Sequence, residues 1–111
     1  MNLGYQFQNG KLLETALTHI SLANEQGIQS NQRLEFLGDS ILSLIVAEYI
    51  FREFRSMDEG RLTEIRAAAV CEKSLAAAAR KLDLGSGIRF GKSETVCDGK
   101  TKDSILEDTF E

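Results

Sequence analysis

The sequence has no proline, only two cysteines, a single histidine and no long apolar run. Without proline, helices can run long, and an all-β sandwich built on Pro/Gly turns is disfavoured. Cys71 and Cys97 form no C-x-x-C pair and have no nearby histidine, which predicts reduced structural thiols. His19, standing alone, cannot build a His-rich zinc site. Glu48 and Glu53 interrupt the longest apolar stretches, so none approaches the roughly 18 residues of a membrane span. Met1 is followed by no basic-then-apolar signal segment, which predicts a cytoplasmic protein without a membrane partner. A general basic surface is missing too. The net charge of −4 argues against nucleic acid held by unpatterned positive charge. It leaves nucleic acid open, because carboxylates neutralised by bound cations would distort the count.

What is present is 111 residues, 42% hydrophobic and 27% charged, enough for one soluble domain with its own core. There is no internal repeat, low-complexity tract or linker. Alanine runs at Ala67–Ala69 and Ala76–Ala79 favour helix. The spacing predicts a first helix over Lys11–His19 with Asn9 as N-cap, then a polar loop over Asn24–Asn31. A long second helix follows over Gln32–Phe54. Leu34, Leu37, Ile41, Leu44 and Ile45 keep helical spacing in it, and Phe36, Val46 and Ile50 fill flanking positions. A helix apolar on several sides is central, or buried against a second chain. Ser56 and Glu59 make an S-x-x-E capping box for a third helix ending near Val70. A fourth covers Glu72–Leu84 and stops at Gly85, and Gly85–Lys100 reads as irregular. The last helix begins near Thr101 or Lys102 and is still running at Glu111. The fold class is an all-α helical bundle.

Gly91-Lys92-Ser93 has the ending of a phosphate-binding loop, but Ser86 stands where its leading glycine is needed. The stretch from Gly91 to Gly99 therefore reads as a surface turn. The stronger signal is acidic. Glu35 and Asp39 are four apart and Asp108 and Glu111 three apart, so each pair shares a helix face. Glu35 and Asp39 sit within the apolar stretch Leu34–Leu42, where a carboxylate is costly unless compensated. Gly38 between them is a poor helix former, and suits a place that another backbone or a ligand must approach closely. Two such pairs facing each other would raise one another's pKa values or demand a cation. Oxygen-only ligands select Mg²⁺ or Mn²⁺, the ions that support phosphodiester hydrolysis. Acid pairs at helical spacing also form ordinary solvated faces, and spacing alone leaves both readings open. A di-iron bundle needs E-x-x-H pairs, and the chain has none.

Gln32-Arg33-Leu34-Glu35-Phe36-Leu37-Gly38-Asp39-Ser40 resembles the signature of the ribonuclease III endonuclease domain. Leu17-Thr18-His19-x-Ser21 precedes it as in that family, Glu59-Gly60-x-Leu62-Thr63-x-x-Arg66-Ala67 follows, and Ser104-Ile105-Leu106-x-Asp108-Thr109-x-Glu111 resembles the second acidic segment. The resemblance implies a Mg²⁺-dependent endonuclease of double-stranded RNA, with Mn²⁺ as substitute, leaving 5′-phosphate and 3′-hydroxyl ends. It implies that Glu35, Asp39, Asp108 and Glu111 bind metal, with Asp39 and Glu111 also catalytic. It implies a homodimer in which Phe36 packs into the partner. Glu59 matches a further acid near the site, although a helix-capping role explains it equally well, and His19 matches a structural position.

Gln32 stands where the family commonly has glutamate, so it can hydrogen-bond but adds no charge. Family members also continue past the second acidic segment, and most carry a double-stranded-RNA-binding domain. The resemblance thus implies an endonuclease domain over 1–111, incomplete after Glu111 and without that second domain. A last helical turn lacking following amides frays, which predicts weak cleavage by such a fragment. The alternative is a non-catalytic dimerising or RNA-binding module of the same fold.

Overall fold

The computed structural model of the chain describes residues 1–94 and 102–111. Among these residues it is helical throughout, with no strand: α1 Gly10–Ala16, α2 Ile20–Gln26, α3 Gln32–Glu53, α4 Glu59–Ala69, α5 Glu72–Lys81, a 3₁₀ turn Leu84–Gly87, and α6 Asp103–Phe110. The all-α expectation holds. No helix among the described residues is long and apolar enough to cross a membrane.

Local chemistry sets the boundaries, and several differ from expectation. Asn9 caps α1 as its sequence position suggests, its side chain accepting the Leu12 N–H at 3.2 Å. The helix stops at Ala16 instead of reaching His19, because His19 is extended and caps a separate helix. That helix, α2, occupies the start of the expected Asn24–Asn31 loop. It ends on Gly27, whose left-handed φ of 64° suits a residue without Cβ. For α4 the cap is Asp58, not Ser56: its carboxylate accepts the Arg61 N–H at 3.0 Å. Glu59 is then the first helical residue and accepts the Thr63 hydroxyl at 3.1 Å. A charged acceptor next to the helix start outcompetes a hydroxyl two residues further away. The α5 helix ends at Lys81, ahead of Gly85, because Asp83 turns left-handed with φ 53°. Part of the stretch expected to be irregular after Gly85 is instead the 3₁₀ turn.

The core lies between α5 and α6. Ala76 and Ala79 are fully buried and have no bulk, so α6 comes close enough to seat Ile105 and Leu106 beside Leu84 and Ile88. Leu3, Leu82, Phe90 and Phe110 close the rim of this cluster. The long α3 contributes little to it, since Ile50 is its sole buried residue. Its apolar side chains face outward instead, with Phe36 79% and Phe51 71% exposed. Within these residues the helices of the chain do not enclose α3, so the face expected to be covered is left open.

Gly91 and Lys92 have their amides already engaged, by the Ser21 hydroxyl and the Glu25 carboxylate respectively. That leaves them unable to cradle a phosphate. Cys71 is free and exposed, its thiol near Ser74. The Cys97 thiol and the rest of the turn from 95 to 99 lie outside the described residues.

Leu106 is 1% exposed, so truncating it to alanine removes apolar contacts and leaves a cavity. Leu106→Ala should cost about 2–5 kcal/mol in unfolding free energy, read from urea denaturation. A cost within experimental error of zero would mean the α5–α6 contact is not the core.

Candidate metal centre

The site forms where the end of α6 meets the first half of α3. A Cβ on Gly38 would collide with the backbone carbonyl of Glu111, its oxygen and its carbon both too close. The close backbone approach expected at Gly38 is therefore made by the segment that carries the second acidic pair.

This contact brings acids from two helices together. Glu35, Asp108 and Glu111 each present one carboxylate oxygen, and the three oxygens lie within 4.8 Å of one another. Glu35 faces Asp108, and Asp39 faces Glu111, each pair close enough to share a proton when one member is protonated. Asp39 thus stands beside Glu111 and outside the mutually close triplet. A pocket of 270 Å³ opens beside the acids, its apolar wall including Leu13, Leu17, Leu34 and Phe110. An apolar wall next to carboxylates is the arrangement that penalises their charge most.

The pKa values follow. Glu111 is pushed from 4.5 up to about 7, by burial first and then by the hydrogen bond to Asp39 and the charges of Asp39, Glu107 and Glu35. Glu35 is raised by burial and then by Asp108, Glu107 and Asp39. Asp108 is raised by burial, with Glu72 adding to the effect, while its bond to Glu35 pulls the other way. Glu107 is raised by burial, Glu72, Asp108 and Asp39. Carboxylates in this state either share protons or hold a cation. The donor set is oxygen only, which fits a hard divalent ion and not zinc.

The other residues singled out from sequence are elsewhere. Glu59, bonded to Thr63, lines a groove between α3 and α4 with Phe51 and Arg66, and does not join the triplet. Gln32 lines a groove of 680 Å³ beside Phe36, Leu37 and Leu12. Phe36 stands exposed at that groove. Sequence reasoning passed over Glu107 and Glu72, which add negative charge around the acids. Glu107 precedes Asp108 directly, and that adjacency was the available signal.

A family model described as Ribonuclease-III-like matches residues 9–111. The chain is 49% identical over 111 residues to a protein named Ribonuclease 3 from Caldanaerobacter subterraneus subsp. tengcongensis, covering 98% of this chain and 49% of that one. To Ribonuclease 3 from Symbiobacterium thermophilum it is 49% identical over 110 residues, covering 98% and 46%. The chain spans about half the length of the curated relatives it matches. Among solved structures, the nuclease domain of ribonuclease III from Campylobacter jejuni superposes with TM-score 0.87 at 46% identity, over 96% of this chain and 71% of that one. A second structure of that domain, described for structural flexibility in a region involved in dimer formation, gives 0.89 at 45% identity over 97% and 73%.

The raised carboxylates set a sign for the pH dependence of stability. A folded state that binds protons more tightly than the unfolded chain has that advantage in full below the ordinary carboxylate pKa. It loses it as pH rises through the folded value, here about 7 for Glu111. In chelator, the melting temperature should fall between about pH 4.5 and pH 7.5, and millimolar Mg²⁺ should reverse most of the fall. Asp39→Asn relieves repulsion, so it should melt higher than wild type in chelator and lose the Mg²⁺-dependent rise. Melting curves flat with pH and blind to Mg²⁺ would remove the metal centre.

Proposed function

The chain belongs to the ribonuclease III-like family, and from that premise we propose that residues 1–111 are part of the endonuclease domain of a cytoplasmic, homodimeric enzyme that cleaves double-stranded RNA with Mg²⁺, or Mn²⁺ in its place, leaving 5′-phosphate and 3′-hydroxyl ends. The observation that carries this reading is the convergence of Glu35, Asp108 and Glu111, with Asp39 beside Glu111, where the end of α6 meets α3. All four acids are present, which favours an active domain over a non-catalytic module of the same fold.

Glu35, Asp39, Asp108 and Glu111 would hold the cation. When bound, it supplies positive charge for the phosphate and its leaving oxygen and lowers the pKa of an attacking water. The chain's own residues do the rest. Glu35 and Asp39 lie on α3, Asp108 on α6 and Glu111 just past its end. The close approach at Gly38 sets how near the two pairs come. Without a cation Glu111 keeps a proton up to about pH 7, and it would release that proton on taking its place as a ligand. Attack of water on phosphorus breaks the bond to the 3′ oxygen, so the phosphate stays on the 5′ end and the 3′ oxygen takes up a proton.

The homodimer is supported by the outward face of α3. Among the described residues, Phe36, Leu37, Ile41, Leu44, Ile45 and Tyr49 are all exposed, an apolar face of the kind that takes a partner surface. The 680 Å³ groove beside Phe36 offers a socket for the same residue of a second copy, as a self-complementary two-fold surface requires.

Cleavage of a long RNA duplex at low salt should require Mg²⁺, stop in chelator, and fall about 10²-fold or more in Asp39→Asn, the order lost with one preorganised charged group. End analysis should find 5′-phosphates. Chelator-resistant cleavage would refute the metal-dependent mechanism. For association, Phe36→Ala should raise the dimer dissociation constant about 30-fold, or about 2 kcal/mol, in sedimentation equilibrium. A wild-type chain that stays monomeric at high micromolar concentration would argue against pairing through this face.

A further inference from the structure

His19 is the chain's one histidine and stands where α1 and α2 part. Its Nδ1 accepts the Ser21 backbone N–H at 3.1 Å and lies 2.8 Å from the Ser21 hydroxyl. A ring nitrogen that accepts an amide N–H carries no proton, so the neutral ring is protonated on Nε2. The Ser21 oxygen in turn accepts the Gly91 N–H at 2.9 Å, a buried bond between distant parts of the chain.

The backbone repeats the connection. The His19 amide donates to the Arg89 carbonyl at 3.0 Å, and the Arg89 amide to the Leu17 carbonyl at 2.8 Å. The imidazole also packs on Phe90, with ring centroids 5.2 Å apart. Residues 88–92 are therefore a strap tied to the start of α2. Gly91 permits the contact, since a Cβ there would meet the Ser21 carbonyl. From the strap, Phe90 packs on the core to which α6 gives Ile105 and Leu106, just ahead of Asp108. The charged groups that feel the imidazole include Asp108 on α6 and Glu94 beyond the strap. Arg89 and Glu14 nearby are paired with each other at 2.8 Å.

We propose that His19, as the Nε2–H tautomer, is a positioning residue for the metal-binding carboxylates. It knots α2 to the 88–92 strap, and the strap holds Phe90 against the core that sets the place of α6. The proposal rests on the metal reading of the acidic site given above.

The test uses the wild-type chain and Mg²⁺ alone, following the rise in melting temperature to obtain the half-saturating concentration. His19→Ala should raise that concentration about tenfold, as loss of a supporting partner does at metal sites. His19→Asn should stay within about twofold of wild type, because asparagine is among the best N-caps and its Oδ1 can accept the Ser21 N–H. A merely structural histidine would lower the melting temperature of both variants without moving the half-saturation point. Nitrogen-15 shifts of the neutral wild-type imidazole should show bare Nδ1 and protonated Nε2. This measurement stands even if His19→Ala does not fold, and an Nδ1–H tautomer would overturn the proposal by itself. If the wild type responds to Mg²⁺ and His19→Ala responds equally, this proposal fails alone. If the wild type shows no response, the metal reading fails, and the proposal with it.

Discussion

The carbonyl of Glu111 rests where any side chain at position 38 would have to be. Everything particular to this domain depends on that approach. It sets the distance between α3 and the end of α6, and with it the distance between two pairs of carboxylates that would otherwise keep apart. Alanine costs a helix less than glycine by about 1 kcal/mol, so Gly38 weakens α3 locally. The small alanines of α5 serve the same end from the other side. Ala76 and Ala79 let α6 sink far enough for its final turn to reach α3.

The approach has an electrostatic cost. Four acids meet near an apolar wall, with Glu107 and Glu72 adding to the field. They also lie near the C-terminal end of α6, where a helix dipole disfavours negative charge. Packing of Ile105 and Leu106 must hold this repulsion in check when no cation is bound. The domain therefore divides its labour: hydrophobic contacts on one side of α6 hold in place the charges on the other. A cation turns the same charges from a cost into a contribution.

Much of this architecture was legible in the sequence, and the exceptions have physical reasons. The α3 helix runs where the sequence suggests, a long apolar stretch with no proline to break it. Gly38 was readable because a glycine inside a strong helix needs an external reason. The split between α1 and α2 was not, since it turns on a histidine ring nitrogen acting as a cap, outside the usual Ser, Thr, Asp and Asn; Gly27 was the clue in hand. Ser56 misled because a capping-box pattern says nothing about a better acceptor next to it. The end of α5 was missed because Asp83 adopts a conformation that sequence rules reserve for glycine. Spacing put Asp39 on the acidic face, but side-chain reach leaves it beside Glu111 and outside the mutually close triplet, acting on Glu35 and Glu107 by its charge.

Phe36 is bracketed on α3 by Glu35 and Asp39, so the pairing surface and the acids are carried by the same turn of one helix. A shift of that turn cannot move one without the other. With the proposed pairing and cation binding sharing a single rigid segment, the two equilibria become thermodynamically linked, and whatever factor one exerts on the other is returned in equal measure. Protomer concentration and cation concentration then cease to be independent variables for this domain.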